Sequence, residues 1–140
     1  MIDALKARIA ETVPDIKFVG EAADFQSAAE SNPKVTPACF VIPLDETPVP
    51  NQMGNIVIQE VSATVGIVLV VRNLADNKGV AARVSLEALR KLVKDQVYGW
   101  QANADLAPFE RGKSHLLAFR DGHVWWQDLY ITSYYDRSVL

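Results

Sequence analysis

At 140 residues the chain is long enough for a proper hydrophobic core and reads most simply as one domain, residues 1–140. Hydrophobic residues make up 49% of it and charged residues 22%, a balance that excludes a disordered chain. A net charge of −3 without a basic run argues against a nucleic-acid-binding surface. The single cysteine excludes an internal disulfide and a cysteine-based zinc site, and the longest apolar run, 66–71, is too short to span a bilayer.

Met1 leads straight into an amphipathic segment bearing Asp3, so no signal peptide is expected and the chain reads as cytoplasmic. Ile2, Leu5, Ile9 and Val13 recur at helical spacing, which predicts a helix over 2–13 closed by Pro14. A short strand is predicted at 16–19, ending at Gly20. A brief helix at 25–30, capped by Asp24, precedes the Ser-Asn-Pro stop at 31–33. Residues 38–42 predict a compact buried strand terminated by Pro43. Residues 43–55 hold Pro43, Pro48, Pro50, Asn51 and Gly54 with almost no apolar periodicity. They are read as one long loop, either functional or a mere connector.

Strand character resumes at 56–72. The odd positions from Val61 to Val71 are apolar and alternate with Ser62, Thr64, Gly66 and Arg72; Gly66 marks a bulge or a close approach. Residues 73–79 predict a turn-rich loop. A second helix over 80–97 buries Ala82, Leu86, Leu89, Val93 and Val97 and closes near Gly99. Residues 101–112 read as irregular. The chain closes in a hairpin of 115–119 and 123–135 around Asp121-Gly122, because both residues of such a two-residue turn need positive φ.

This inventory predicts an α+β fold. Its sheet is mixed, mainly antiparallel and of about five strands, with two main helices packed on one face and a C-terminal β-hairpin. Thirteen residues of strand span ~43 Å at ~3.3 Å per residue, whereas a compact domain of this size is only about 37 Å across. The long strands must therefore bend or project beyond their own core.

Within 123–135, Trp125 and Trp126 point to opposite faces and cannot share one core. The odd positions Trp125, Leu129 and Ile131 suit the interior. The even positions Val124, Trp126, Asp128, Tyr130, Thr132 and Tyr134 form an aromatic face with polar tips, a composition that protein interfaces favour. The alternative is that helices cover both sides. On the first reading Val124, Trp126, Tyr130 and Tyr134, with Pro48, Pro50, Asn51 and Met53 of the long loop, are the candidate interface residues.

Catalytic chemistry finds no support in the sequence. His115 and His123 flank the turn and with Asp121 or Asp128 imitate a metal site, yet alternation separates His123 from Asp128; exposed hairpin histidines are the plainer reading. Cys39 lies in an apolar strand without a cationic neighbour and reads as a buried structural thiol. There is no nucleophile elbow, phosphate loop or dinucleotide fingerprint. Asp76 with Lys78-Gly79 is only a turn, and Asp45-Glu46 a solvated pair. No cofactor, metal ligand or catalytic residue is assigned.

Several pieces, in order, resemble the tail terminator proteins of long-tailed bacteriophages and Mu-like prophages. They are Ile2-Asp3-Ala4-Leu5-Lys6-Ala7-Arg8, Ala38-Cys39-Phe40-Val41-Ile42-Pro43, Val71-Arg72-Asn73-Leu74-x-Asp76-x-x-Gly79 and Leu86-Glu87-Ala88-Leu89-Arg90. Gly99-Trp100 and Asp121-Gly122-x-x-Trp125-Trp126-Gln127-Asp128 follow, so the resemblance spans nearly the whole chain. It implies a non-enzymatic virion component that forms a ring, usually a hexamer, on the head-proximal end of the tail tube. There it stops polymerisation and presents the head-joining surface. The partners so implied are further copies of the chain, the tail tube protein and the head-tail connector or neck protein. No membrane is involved, and no nucleic-acid contact beyond lining the DNA passage; assembly is placed in the host cytoplasm. Two alternatives stay open: a neck or tail-completion factor, and a small ligand-binding or enzymatic domain with a pocket under the 43–55 loop.

Overall fold

The structure, a computed structural model, describes residues 1–72 and 80–139, and of residues 80–84 the backbone alone. The loop expected at 73–79 and the burial expected of Ala82 lie outside the described residues. The element order is α1 (Ile2–Thr12), β1 (Phe18–Gly20), α2 (Ala22–Ser31), β2 (Ala38–Pro48), β3 (Ile58–Arg72), α3 (Val80–Val97), β4 (Glu110–Arg120) and β5 (His123–Arg137). The five strands form one sheet in the order β1-β2-β3-β5-β4; only β1 and β2 run parallel. The predicted α+β fold with its C-terminal hairpin is the observed one.

α1 and α3 lie on one face because each carries a single apolar stripe. Leu5, Ile9 and Val13 from α1 and its end meet Leu86, Leu89, Val93 and Val97 from α3 over Cys39, Val41, Val65, Ile67, Leu69 and Val71 of the central strands. Each such side chain contributes roughly 1.5–3 kcal/mol by leaving water. Arg8 ties the two helices by donating from Nε to the Gln96 carbonyl at 3.2 Å, in the last turn of α3. Gly99 then ends the helix at φ 78°, a conformation that suits glycine.

The opposite face is covered at one end by α2, which is longer than predicted. Glu21 is its N-cap, and Asp24 sits inside the first turn, accepting from the Glu21 N–H at 2.9 Å in a capping box. α2 seals a second core of Ala38, Phe40, Val68, Val70 and Trp125, closed by Phe25, Ala28 and Ala29. Phe40 and Trp125 stack at 6.4 Å with planes 5° apart, and Phe25 meets Trp125 edge-on at 6.0 Å.

β2 runs to Pro48, so half of the loop expected at 43–55 is strand and the connection shrinks to 49–57. Prolines 43 and 48 fit because β1 pairs β2 only over 38–40, which leaves β2 an edge strand beyond that point. Gly66 is a close approach: a Cβ there would lie 2.8 Å from Gln127 Oε1 and 3.1 Å from Leu44 Cδ1. The register shift nearby falls across from it, between Pro43 and Asp45 of β2. β4 likewise begins at Glu110, inside the stretch read as irregular.

Candidate assembly interface

β2, β3 and β5 all outrun the helices. Past Pro43 of β2, before Val61 of β3 and after Ser133 of β5, they continue as a three-stranded arm beyond both buried clusters, flanked among the described residues only by Met1 and the 101–107 segment. Residues 43–55 are exposed without exception. The arm is held by its own ladder, by Val49 N–H donating to Glu60 O at 2.8 Å, and by Ser138 N–H donating to Val57 O at 2.8 Å. Tyr134 donates its hydroxyl to Glu46 at 3.0 Å on one side, and Tyr135 to Glu60 at 2.9 Å. Both phenols are pushed above their ordinary pKa, chiefly because these bonds to carboxylates require the proton.

Asn51 organises the tip. Its Oδ1 accepts from the Met53 and Ile58 N–H groups at 3.3 and 3.0 Å, while its Nδ2 donates to the Met53 and Ile56 carbonyls at 3.1 and 3.2 Å. This pattern holds Val49, Met53 and Val57 out into solvent, each about half exposed. Of the predicted loop residues, Pro48, Pro50 and Met53 are exposed at or beside the tip, and Asn51 shapes it.

Trp125 lies inside on the odd face of β5 as expected, but the even face, expected to be open, is covered as well. Val124 and Tyr130 are 7% and 1% exposed beneath α1 and α3, in the main core with Val71 and Val65 as their β3 partners. They are unavailable to a partner. Burial pushes the Tyr130 hydroxyl up to about 12, with the charge of Asp128 adding to it. Trp126 is half-buried on the same side under Arg90, whose guanidinium lies 4.6 Å from its ring. Tyr134 alone of the four β5 candidates reaches the arm. On the odd face Trp125 belongs to the α2 core, whereas Leu129 and Ile131 stand outside both cores on a sheet surface that no helix covers. Leu44 and Tyr135 extend that surface and were not anticipated.

Asp128 gathers the polar groups where α3 meets β4 and β5. It accepts from Arg90 Nε and Nη2 at 3.1 and 2.8 Å, from Ser114 Oγ at 2.6 Å and from Trp126 Nε1 at 3.0 Å. Burial raises its pKa, yet these bonds and the Arg90 charge outweigh burial and hold the carboxyl below its ordinary value. Arg111 and Lys94 line a cleft of about 160 Å³ beside this cluster.

His115 is exposed, but His123 is 5% exposed with Nδ1 3.0 Å from the Asp121 carbonyl, so only the first is the solvent-facing histidine expected. Among the described residues no three His, Cys, Asp or Glu side chains converge as a metal site would require. Cys39 is fully buried and its thiol is pushed up to about 12 by that burial, which makes it a poor nucleophile. Beside the arm lie an open groove of about 280 Å³ lined by Met1, Pro43, Leu44, Asp45, Glu46, Ala63 and Thr64 and another of about 810 Å³ between the 101–107 segment and Ser133–Tyr135.

The whole sequence from residue 2 to 138 matches the profile of a family described as "Phage tail terminator protein". The chain belongs to the phage tail terminator family. Its role is accordingly structural, in the tail of a virion, and the surfaces to explain are those that meet other proteins. No curated protein matches the sequence. A chain of the "Virion of native gene transfer agent (GTA) particle" superposes over 94% of this chain and 84% of its own, with 11% identity and a TM-score of 0.45. No helix among the described residues is long and apolar enough to cross a membrane.

Proposed function

We propose that the protein closes into a ring, most simply of six copies, on the head-proximal end of a tail tube. There it ends polymerisation of the tube protein and offers the joining surface to the head-tail connector. Assembly takes place in the host cytoplasm, and the ring meets nucleic acid only as the lining of the DNA passage.

The observation that carries this reading is the arm. Thirteen consecutive residues, 43–55, are solvent-exposed among the described residues. A soluble monomer rarely keeps so much unpartnered sheet with apolar side chains on it. Closing a ring requires a head-to-tail contact between unlike surfaces of identical subunits, and a projecting arm supplies one of the two. Capping a tube further requires one end of that ring to match the last tube layer and the other to match the neck.

The test is to polymerise the tube protein with and without this protein and to measure tube lengths by electron microscopy. Added protein is expected to arrest growth and leave a cap at one end. Tubes that lengthen equally fast at saturating protein, with bare ends, sink the proposal.

A further inference from the structure

Two surfaces of the protomer complement each other in both charge and apolar content. The arm, residues 44–60 and 134–138, carries Asp45, Glu46, Glu60 and Asp136 against Arg137 alone, so its acidic excess equals that of the entire chain. Exposed Leu44, Val49, Met53, Val57 and Tyr135 stand among these acids. β4 is one edge strand of the sheet, at the end opposite β1. It presents Arg111 and Lys113 next to Glu110, with Lys94 and Glu87 of α3 lining the cleft beside Arg111, so three cations stand against two acids there. Lys91 is paired with Asp95 and Arg90 with Asp128, so those charges are already used. The same strand exposes Leu116, Leu117 and Phe119 at 53%, 38% and 48%. Large apolar side chains on an unpaired edge are what monomeric proteins avoid, because such an edge recruits further strands.

We infer that the arm of one copy docks on the β4 edge and the adjoining side of α3 of the next copy. This rests on the ring reading above and specifies its lateral contact. The occupant is a second copy of this chain because the acids and the bases that match them are both written into it. A phosphate polymer would use the bases but would leave Leu116, Leu117 and Phe119 against water or phosphate. The contact joins unlike surfaces, so each copy offers one arm and one edge, as a closing ring needs. Charges of opposite sign at its rim fix orientation more than they add affinity.

The side chains of Asp45 and Lys113 are exposed and enter no hydrogen bond or ion pair among the described residues, so reversing either leaves the fold intact. Asp45→Lys and Lys113→Glu, each in the full chain, are expected to weaken self-association roughly tenfold or more per contact, read by sedimentation velocity and native mass spectrometry. An equimolar mixture of the two variants is expected to reassemble into rings with an even number of copies, since every arm then faces an edge of opposite charge. That rescue also reports that both variants are folded. Variants that assemble like the wild type, or a mixture that fails to reassemble, overturn this docking while leaving the ring intact. A wild-type chain that stays monomeric at every soluble concentration overturns the ring and the docking together. Lys113→Glu chains that assemble normally but lose affinity for duplex DNA assign the edge to nucleic acid instead, and overturn it as well.

Discussion

Asp128 shows how one buried carboxylate is kept ionised. Four hydrogen bonds from three residues converge on it, and Arg90 in turn lies over the Trp126 ring. Asp128→Ala leaves that guanidinium without its partner against an indole. The expected cost is about 3 kcal/mol, the low end for breaking a buried pair because Arg90 is itself partly exposed; urea unfolding at neutral pH measures it. The folded-state pKa is depressed, so the carboxylate's contribution is complete above the ordinary value of 3.8 and is lost as pH falls through the folded value. The gap in unfolding free energy between wild type and variant should therefore close on acidification below that point. A gap that is constant with pH assigns the loss to packing. The neighbouring tryptophans separate in the same assay. Trp125→Ala empties the α2 core and its 3.0 Å bond to Asn32, and is expected to cost about 3–5 kcal/mol. Trp126→Ala strips the ring from Arg90 and a donor from Asp128, so it too lowers stability rather than assembly alone.

At the level of elements, what could be read from sequence is what depends on local chemistry. Asp121 and Gly122 adopt φ of 51° and 74°, as an Asp-Gly hairpin turn requires, and Gly122→Ala is expected to cost about 1 kcal/mol by thermal unfolding. Alternation along β5 correctly separated Trp125 from Trp126 but carried no sign, because pairing fixes which side is which only once the helices are placed. The missing fact was α2. Its ten residues, expected only as a brief helix over 25–30, cover the odd side at Trp125, while α1 and α3 claim the even side. The prolines of 43–50 misled in a similar way: they argue against a central strand, and β2 is not central there. Loop composition could place Asn51 in the connection but not reveal its four hydrogen bonds, which join residues up to seven apart. Asn51→Ala is expected to speed amide exchange at 53–58 by hydrogen–deuterium exchange while shifting overall stability by less than about 1 kcal/mol, since the tip is exposed.

On the scale of the whole molecule, the fold divides into a part that completes itself and a part that does not. The body buries Trp125 and half-buries Trp126 within one protomer, so the pressure toward a partner comes from the other end of the same strands. That division can be cut experimentally. Pro48 and Val61 are register partners, so replacing 49–60 by Asn-Gly closes β2 onto β3 as a two-residue hairpin and removes the tip without touching either core. The truncated chain gives up the Asn51 hydrogen bonds, the Tyr135–Glu60 bond and the pairing of Ile58, Gln59 and Glu60 with the last residues of β5, all outside both cores. Its melting temperature is expected to stay within about 5 °C of the full chain, a ΔΔG near 1 kcal/mol. Its capacity to self-associate and to stop tube growth is expected to vanish. A truncated chain that unfolds shows that the arm belongs to the core, and one that still caps tubes places the contact surface elsewhere on the sheet.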